Sequence, residues 1–300
     1  MTARTALPDD IQNRTLGLFA AFGVLVIWSG FIVFSRAGVQ TALTPGDITA
    51  LRFMVTGVLT LPVAWAWWPR HLGLTPIVLI VLCGSGALYA MLVYMGLRYS
   101  SAAYAGVFTN GALPFFTVLL VTVFTGALPN RLQLVSLVIV TLGAVLVAVT
   151  GIRTTGDGAA LGIVLFLTAA AIQSIYIFGV RRWRLTPRQA LVVINVPNAI
   201  VFLPLWYFLL PSGLAQADTG TILFQAAYQG LGPGILAMVC FAIAANHLGP
   251  THTAGFSAAV PASATLLAIP VLSEIPGPLE WTGIALVTIG LFMLVRARDG

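Results

Sequence analysis

No lysine occurs in this sequence, and its 14 basic side chains are all arginine. Acids are scarcer, at eight, and charged residues of either sign make up only 7% of 300. Soluble domains carry roughly 25% charged residues, so the composition excludes a water-soluble globule. Cysteine is nearly absent. Cys83 and Cys240 both lie inside apolar stretches, which offers neither a disulfide framework nor a metal-ligand spacing and reads them as small packing residues. The formal charge of +6 does not point to nucleic acid, because the arginines are scattered between apolar runs rather than gathered on one amphipathic face. Metal chemistry lacks a His-Glu-x-x-His pattern, and His247 and His252 sit in a turn without a nearby acid. Gly84-Ser85-Gly86 lacks the spacing of a serine-protease nucleophile. Neither an enzyme nor a bound cofactor or metal is expected.

What is present is hydrophobic sequence, 59% of the chain. A charge at the bilayer centre costs several kcal/mol, so apolar runs of about 20 residues between charges mark membrane spans. Ten runs qualify: Leu16 to Ser35, Ile48 to Trp68, Thr75 to Leu97, Ala102 to Phe124, Leu132 to Thr150, Gly162 to Val180, Ala190 to Leu210, Thr221 to Ala245, Thr251 to Leu272 and Trp281 to Val295. His247, Gly249, Pro250 and His252 supply the turn between the eighth and ninth. The first run is too long for a signal-peptide core and is read as a retained helix. The spans leave no room for a soluble domain.

Short loops rich in arginine stay on the cytoplasmic side. An inside N-terminus collects Arg4, Arg14, Arg70, Arg131, Arg181, Arg182, Arg184, Arg188, Arg296 and Arg298 on one side and leaves Arg36, Arg98 and Arg153 on the other. Asp47, Asp157, Asp218, Glu274 and Glu280 fall toward the outer ends. Both termini are therefore expected in the cytoplasm. Arginine without lysine, together with abundant alanine, fits a GC-rich bacterial genome and hence an inner, or plasma, membrane.

The halves repeat. A shift of 147 residues aligns Ala87 to Val147 with Gly234 to Leu294 without a gap and brings Pro114 onto Pro261, Pro129 onto Pro276 and Gly143 onto Gly290. Nearer the start of each half, a shift of 142 aligns Leu43-Thr44-Pro45 with Leu185-Thr186-Pro187. Five helices per unit is an odd number, so the second copy must cross the membrane in the opposite sense, as in many secondary transporters. The expected fold is an all-α integral membrane protein of two inverted five-helix repeats around a central cavity. Residues 1–156 form the first repeat and residues 157–300 the second, in one integrated membrane domain.

Val26-Ile27-Trp28-Ser29-Gly30-Phe31, Leu51-Arg52-Phe53, the Pro114 and Pro261 helices, and Ser273-Glu274 before a glycine-containing last helix resemble the drug/metabolite transporter superfamily. The resemblance is to its EamA-type ten-helix exporters and, within these, to the amino-acid exporters, including the aromatic amino-acid exporter group. It implies a basket of helices around a substrate cavity, with the third, fourth, eighth and ninth helices in the middle. The sequence departs from even repetition at one place, where Ala127 stands opposite Glu274.

Polar and aromatic residues inside the spans give the candidate cavity: Trp28, Ser29, Tyr89, Tyr94, Phe108, Asn110, Gln173, Tyr176, Asn195, Asn198 and Ser257, with Ser174 beside them. An amide facing hydrocarbon is costly, so each amide lines the cavity or ties helices together by a hydrogen bond. Helices five and ten, nearly devoid of polarity, read as peripheral scaffold or a dimer contact, which leaves monomer and homodimer both open. Arg52 is either structural, paired with Asp47 or Glu274, or a receptor for a substrate carboxylate. Pro114, Pro233 and Pro261 remove backbone hydrogen bonds and either bend as gates or shape the bowl statically. With no acid or lysine at mid-membrane depth, the expected substrate is small and neutral or zwitterionic, foremost an apolar or aromatic amino acid. Alternatives are export of drugs or other metabolites, and a passive channel.

Overall fold

The computed structural model describes residues 8–155 and 157–297. Arg4, Arg298 and the Asp157 side chain, named above, lie outside the described residues. The spans are α1 (Pro8–Val39), α2 (Pro45–Trp67), α3 (Leu74–Cys83 continued by Ala87–Tyr99) and α4 (Ala102–Ala105, a π segment Gly106–Gly111, then Leu113–Thr125). They continue with α5 (Arg131–Thr155), α6 (Asp157–Arg182), α7 (Pro187–Leu209) and α8 (Thr219–Leu231, a π segment Gly232–Leu236, then Ala237–Leu248). The last two are α9 (Pro250–Ala258 and Val260–Leu272) and α10 (Pro278–Arg296). Nine of these runs are long and apolar enough to cross a membrane, and α9 makes a tenth when its halves, bent by 42°, count as one span.

Local chemistry starts the helices where the repeat says it should. At the head of α2, Asp47 N–H donates to Thr44 Oγ1 (3.1 Å) and Thr44 N–H donates to Asp47 Oδ2 (2.9 Å), a reciprocal cap with Pro45 at the first turn. At the head of α7 the same pair of bonds joins Thr186 and Gln189, again with proline following the cap. Each such cap contributes about 1 kcal/mol. Two of the expected helices are not continuous. The third is interrupted over Gly84-Ser85-Gly86 and the ninth bends at Ala259, one residue before Val260-Pro261. Hydropathy reads composition, and a three-residue break in apolar sequence leaves no trace in it.

Packing follows the inverted symmetry. The repeat mates α2 and α7 pack on each other, as do α5 and α10, while α1 packs on α8 and α9 in the way that α6 packs on α3 and α4. The two ends of the bundle differ. One carries Asp47, Asp218, Glu274 and Glu280; the other carries Arg70, Arg131, Arg181, Arg182, Arg184, Arg188 and Arg296. Arg36, Arg98 and Arg153 reach the acidic end, each in the last turn of its helix, where the negative end of the helix dipole favours a cation.

The α5–α10 contact is closed by glycine. A Cβ at Gly143 would lie 2.6 Å from the Gly283 carbonyl oxygen, one at Gly283 2.7 Å from the Gly143 oxygen, and one at Gly290 2.7 Å from Val140 Cγ2. Small residues let two membrane helices approach backbone to backbone, where dispersion supplies the attraction that lipid cannot. The two helices expected to be peripheral scaffold or a dimer contact pack on each other, and Leu134, Val138, Leu142 and Val145 remain on the exposed face of α5. Adding a methyl at Gly283 forces the helices apart. Gly283→Ala should lower the unfolding midpoint in detergent, at about 1–3 kcal/mol, and an unchanged midpoint would show the contact to be looser than described.

Candidate functional site

The polar residues picked out from sequence do not converge on one cavity. They divide into three places.

The first is the break in α3. Side chains from three other helices meet there, two of them on the freed backbone. Arg52 Nη2 on α2 donates to the Ser85 carbonyl (3.0 Å). Asn198 on α7 accepts from Ala87 N–H (2.9 Å) and donates to the Val81 carbonyl (3.2 Å) and to Ile194 in its own helix (2.7 Å). Gln173 on α6 exchanges hydrogen bonds with the Ser85 hydroxyl at 3.0 and 3.2 Å. Non-helical backbone inside a bilayer persists only where protein satisfies it; Arg52 and Asn198 do so, and Gln173 fixes the Ser85 side chain. Asn195, three residues before Asn198, instead donates to Leu191 in its own helix (2.9 Å).

Arg52 is the anomaly. It is 3% exposed, and its Nε has no hydrogen-bond partner. The expected pairing with Asp47 or Glu274 is not found. Asp47 accepts from Thr44 N–H, Gly213 N–H (2.8 Å) and Trp206 Nε1 (2.9 Å), and Glu274 is taken by Arg36. The rings of Phe31 and Phe53 lie 5.8 and 5.6 Å from the guanidinium carbon, and Tyr89 and Tyr94 are near enough to feel its charge. Two desolvated cation–π contacts return about 2 kcal/mol each, against a charge-burial cost of about 20 kcal/mol before relaxation. The cation is thus only partly compensated.

The second place is a buried amide cluster between α1, α3 and α8. Tyr94 donates to Gln229 Oε1 (3.2 Å), Gln229 Nε2 donates to Ser35 Oγ (3.0 Å) and to Gln225 Oε1 (3.1 Å), and Gln225 reaches the Phe34 carbonyl (2.8 Å). Sequence reasoning overlooked Gln225 and Gln229. Their spacing of four residues on one helix face was the available signal. Ser29, also buried, has a hydroxyl without a partner. Phe108 and Tyr89 belong to the central apolar packing, with the Tyr104 ring tilted by 39° against Phe108 at 6.3 Å.

The third place comprises two cavities. One of about 170 Å³ is lined by Trp28, Asn110, Pro114, Thr117, Ser257 and, near the arginine-rich end, Arg181. Of the candidate cavity residues it holds Trp28, Asn110 and Ser257; Trp28 stacks on Phe241 at 5.9 Å. Tyr176 lies apart, against Ile80, Val193 and Ile194. The other cavity, about 300 Å³, opens at the acidic end among Arg36, Tyr99, Ser100, Tyr104, Glu274 and Glu280. There Arg36 Nε meets Glu274 Oε1 at 2.8 Å, the one ion pair among the described residues. Arg36 also donates to the Leu97 carbonyl, and Glu274 accepts from Ala102 N–H (2.8 Å), so α1, α3, α4 and α9 are tied at one point. Tyr104 donates to Glu280 (2.6 Å) beside it.

The prolines sit where helices deviate. Pro233 lies inside the π segment of α8, Pro261 follows the bend of α9, and Pro114 follows the π segment of α4. Such segments cluster at functional sites.

Comparison with known proteins adds the following. The EamA-like transporter family matches residues 15–149 and 160–296. A protein of Streptantibioticus cattleyicolor described as a probable terminal-alkyne amino-acid exporter is 27% identical over 228 residues, covering 74% of each chain. A crystal structure of a protein 18% identical in sequence superposes with a TM-score of 0.62 over 94% of this chain and 97% of that one, a likeness of fold.

The α3 break gives a direct test of the amide assignments. Asn198→Ala strands Ala87 N–H and the Val81 carbonyl, at about 1–3 kcal/mol for each buried group left unsatisfied. Asn195→Ala forfeits one bond within its own helix and should cost less. Unfolding midpoints of the two purified variants in detergent decide it, and equal losses would remove Asn198 from its role at the break.

Proposed function

The chain belongs to the EamA-like transporter family, and from that premise we propose that it is a secondary transporter that exports small neutral or zwitterionic metabolites, foremost apolar and aromatic amino acids, by alternating access. The observation that carries this reading is the placement of charge. Among the described residues the acids lie at helix ends and are already engaged, whereas the interior presents amides, hydroxyls, aromatic rings and Arg52. A lipophilic cation entering such an interior would lose its hydration with only about 2 kcal/mol of cation–π return. A zwitterion meets hydrogen-bonding partners for both charges. The relative described as a probable amino-acid exporter supports the same substrate class.

The two ends support alternating access. At the acidic end Arg36 and Glu274 bind the two repeats together. At the other end the position equivalent to Glu274 is Ala127, and a cavity extends from Trp28 and Asn110 to Arg181. A cavity thus lies toward each end, and the Arg36–Glu274 pair lines the one at the acidic end. With the arginines cytoplasmic, in a bacterial inner membrane, the cavity that reaches Arg181 is the loading side of an exporter and the ion pair its opposite gate. Pro114, Pro233 and Pro261 mark the places where α4, α8 and α9 change direction between states.

Counterflow in proteoliposomes tests the substrate class. Labelled phenylalanine should be carried without an imposed proton gradient, with saturation, and in competition with threonine and methionine. Strong competition by quaternary ammonium dyes without amino-acid flux would identify a drug exporter instead, and flux that neither saturates nor shows counterflow would identify a channel.

Glu274→Gln tests the closure. The glutamine keeps an acceptor for Ala102 N–H but removes the charge facing Arg36. A partly exposed ion pair is worth about 1 kcal/mol, so the balance of states should move about fivefold toward opening at the acidic end. A single cysteine at Thr265, a buried residue of α9 that lines the acidic-end cavity, in protein freed of Cys83 and Cys240, should label faster from that side, while transport slows but persists. Complete loss of flux in well-folded protein would make Glu274 an essential coupling carboxylate.

A further inference from the structure

We propose that Arg52 is the receptor for the carboxylate of the transported solute. The proposal rests on the amino-acid reading above and specifies the group that the substrate must carry.

Arginine presents five N–H donors in a planar fork that matches a carboxylate in two parallel bonds. In this structure Nη2 donates to the Ser85 carbonyl at 3.0 Å and the Tyr94 hydroxyl lies within hydrogen-bonding reach of the guanidinium, while Nε is buried and unpartnered. No carboxylate of the described residues is within ion-pair distance of Arg52, since the one such pair joins Arg36 and Glu274. An ionisable side chain in a membrane span that faces protein and lacks its counter-charge marks a pathway for a charged group. The missing charge is negative.

The surroundings fit a carboxylate that continues into an apolar side chain. Phe31 and Phe53 flank the guanidinium, and the hydroxyls of Tyr89 and Tyr94 lie close to it. Beyond Tyr94 the hydrogen-bonded amides of Gln229 and Gln225 supply uncharged polar partners. Neither of the two cavities described above includes Arg52. The carboxylate therefore reaches it only when the adjoining segment moves, and the segment that Arg52 holds is the non-helical Ser85 between the halves of α3. A carboxylate that competes for the guanidinium releases the Ser85 carbonyl. Binding is thereby coupled to the geometry of the third helix, which is what a substrate-driven change of state requires.

The test uses full-length protein in proteoliposomes, with labelled phenylalanine in counterflow and three competitors: unlabelled phenylalanine, phenylalaninamide, which lacks the carboxylate, and 3-phenylpropionate, which lacks the amine. In the unaltered protein the amide should compete at least about tenfold more weakly than phenylalanine, the loss that removing a charge-assisted hydrogen bond produces. In Arg52→Gln the KM for phenylalanine should rise by about the same factor, with a smaller change in kcat, and the preference over the amide should collapse. Arg52→Lys keeps the charge without the fork and should fall between. A purely structural arginine would instead lower the yield of folded protein while leaving the preference intact. Should Arg52→Gln fail to fold, the unaltered protein still decides the matter, because equal competition by phenylalanine and its amide overturns the proposal. A preference for the carboxylate that survives in Arg52→Gln overturns it too. Dependence of flux on chloride, with no carboxylate preference, would show that an inorganic anion is the counter-charge and would overturn it as well. Amino-acid flux without carboxylate preference sinks this proposal alone, whereas no amino-acid flux in the unaltered protein sinks the functional reading on which it rests.

Discussion

Inside a bilayer no water is present to accept a backbone proton or donate to a carbonyl, so every departure from a helix must be answered by another part of the protein. The arrangement of this chain is organised around that demand. The third helix stops being helical over Gly84-Ser85-Gly86, where Arg52 on α2 meets the Ser85 carbonyl, Asn198 on α7 meets the Val81 carbonyl and Ala87 N–H, and Gln173 on α6 holds the Ser85 hydroxyl. The inverted repeat meets the same problem differently. The shift of 147 places Ser85 on Gly232, where α8 does not break but widens into a π segment. The shift of 142 places Thr56 on Asn198, and Thr56 packs against Gly234 so closely that a Cβ there would lie 2.5 Å from its methyl carbon. Corresponding crossings are thus stabilised by hydrogen bonds in one half and by close packing in the other.

This unequal treatment of equal positions is where function enters. A protein with two identical halves would have no preferred end. Here Glu274 joins the two repeats at the acidic end through Arg36, whereas its repeat mate is Ala127, which carries no charge. The capping pairs diverge in the same sense. Thr44 and Asp47 cap α2, and the Asp47 carboxylate goes on to bind Trp206 and Gly213 from the second repeat, whereas the neutral Gln189 caps only its own helix. Among the described residues, Asp47 and Glu274 both make contacts between repeats, and both lie at the acidic end. The scaffold is symmetric and its fastening is not.

The sequence made the ten spans and the inverted repeat legible for a physical reason. A charge excluded from the bilayer centre punctuates the spans, and Pro114 with Pro261 or Thr44-Pro45 with Thr186-Pro187 are local signals that need no partner to be read. The breaks and the site were not legible in the same way. Ser85 bonds to Gln173 across 88 residues, Asn198 to Ala87 across 111 and Arg36 to Glu274 across 238. Residue type alone does not separate an amide that satisfies a distant carbonyl, as Asn198 does, from one that folds back on its own helix, as Asn195 does. The glutamines of α8 differ, since Gln225 and Gln229 lie one turn apart in apolar sequence, and that spacing was there to be read.

Arg52 joins these lines. A buried cation with one hydrogen bond and two aromatic neighbours is an expensive way to hold a carbonyl, since an amide of the kind that Asn198 provides does so without a charge. Holding Ser85 does not account for the guanidinium, and a neighbouring acid does not either, because Asp47 and Glu274 are fully engaged elsewhere. An exporter whose solute supplies the counter-charge has a use for the imbalance. If Arg52 receives the solute's carboxylate as proposed, pairing compensates the cation and its free energy becomes available to move the helix on which Ser85 sits. A fixed acid beside Arg52 would compensate the charge in every state and remove that difference.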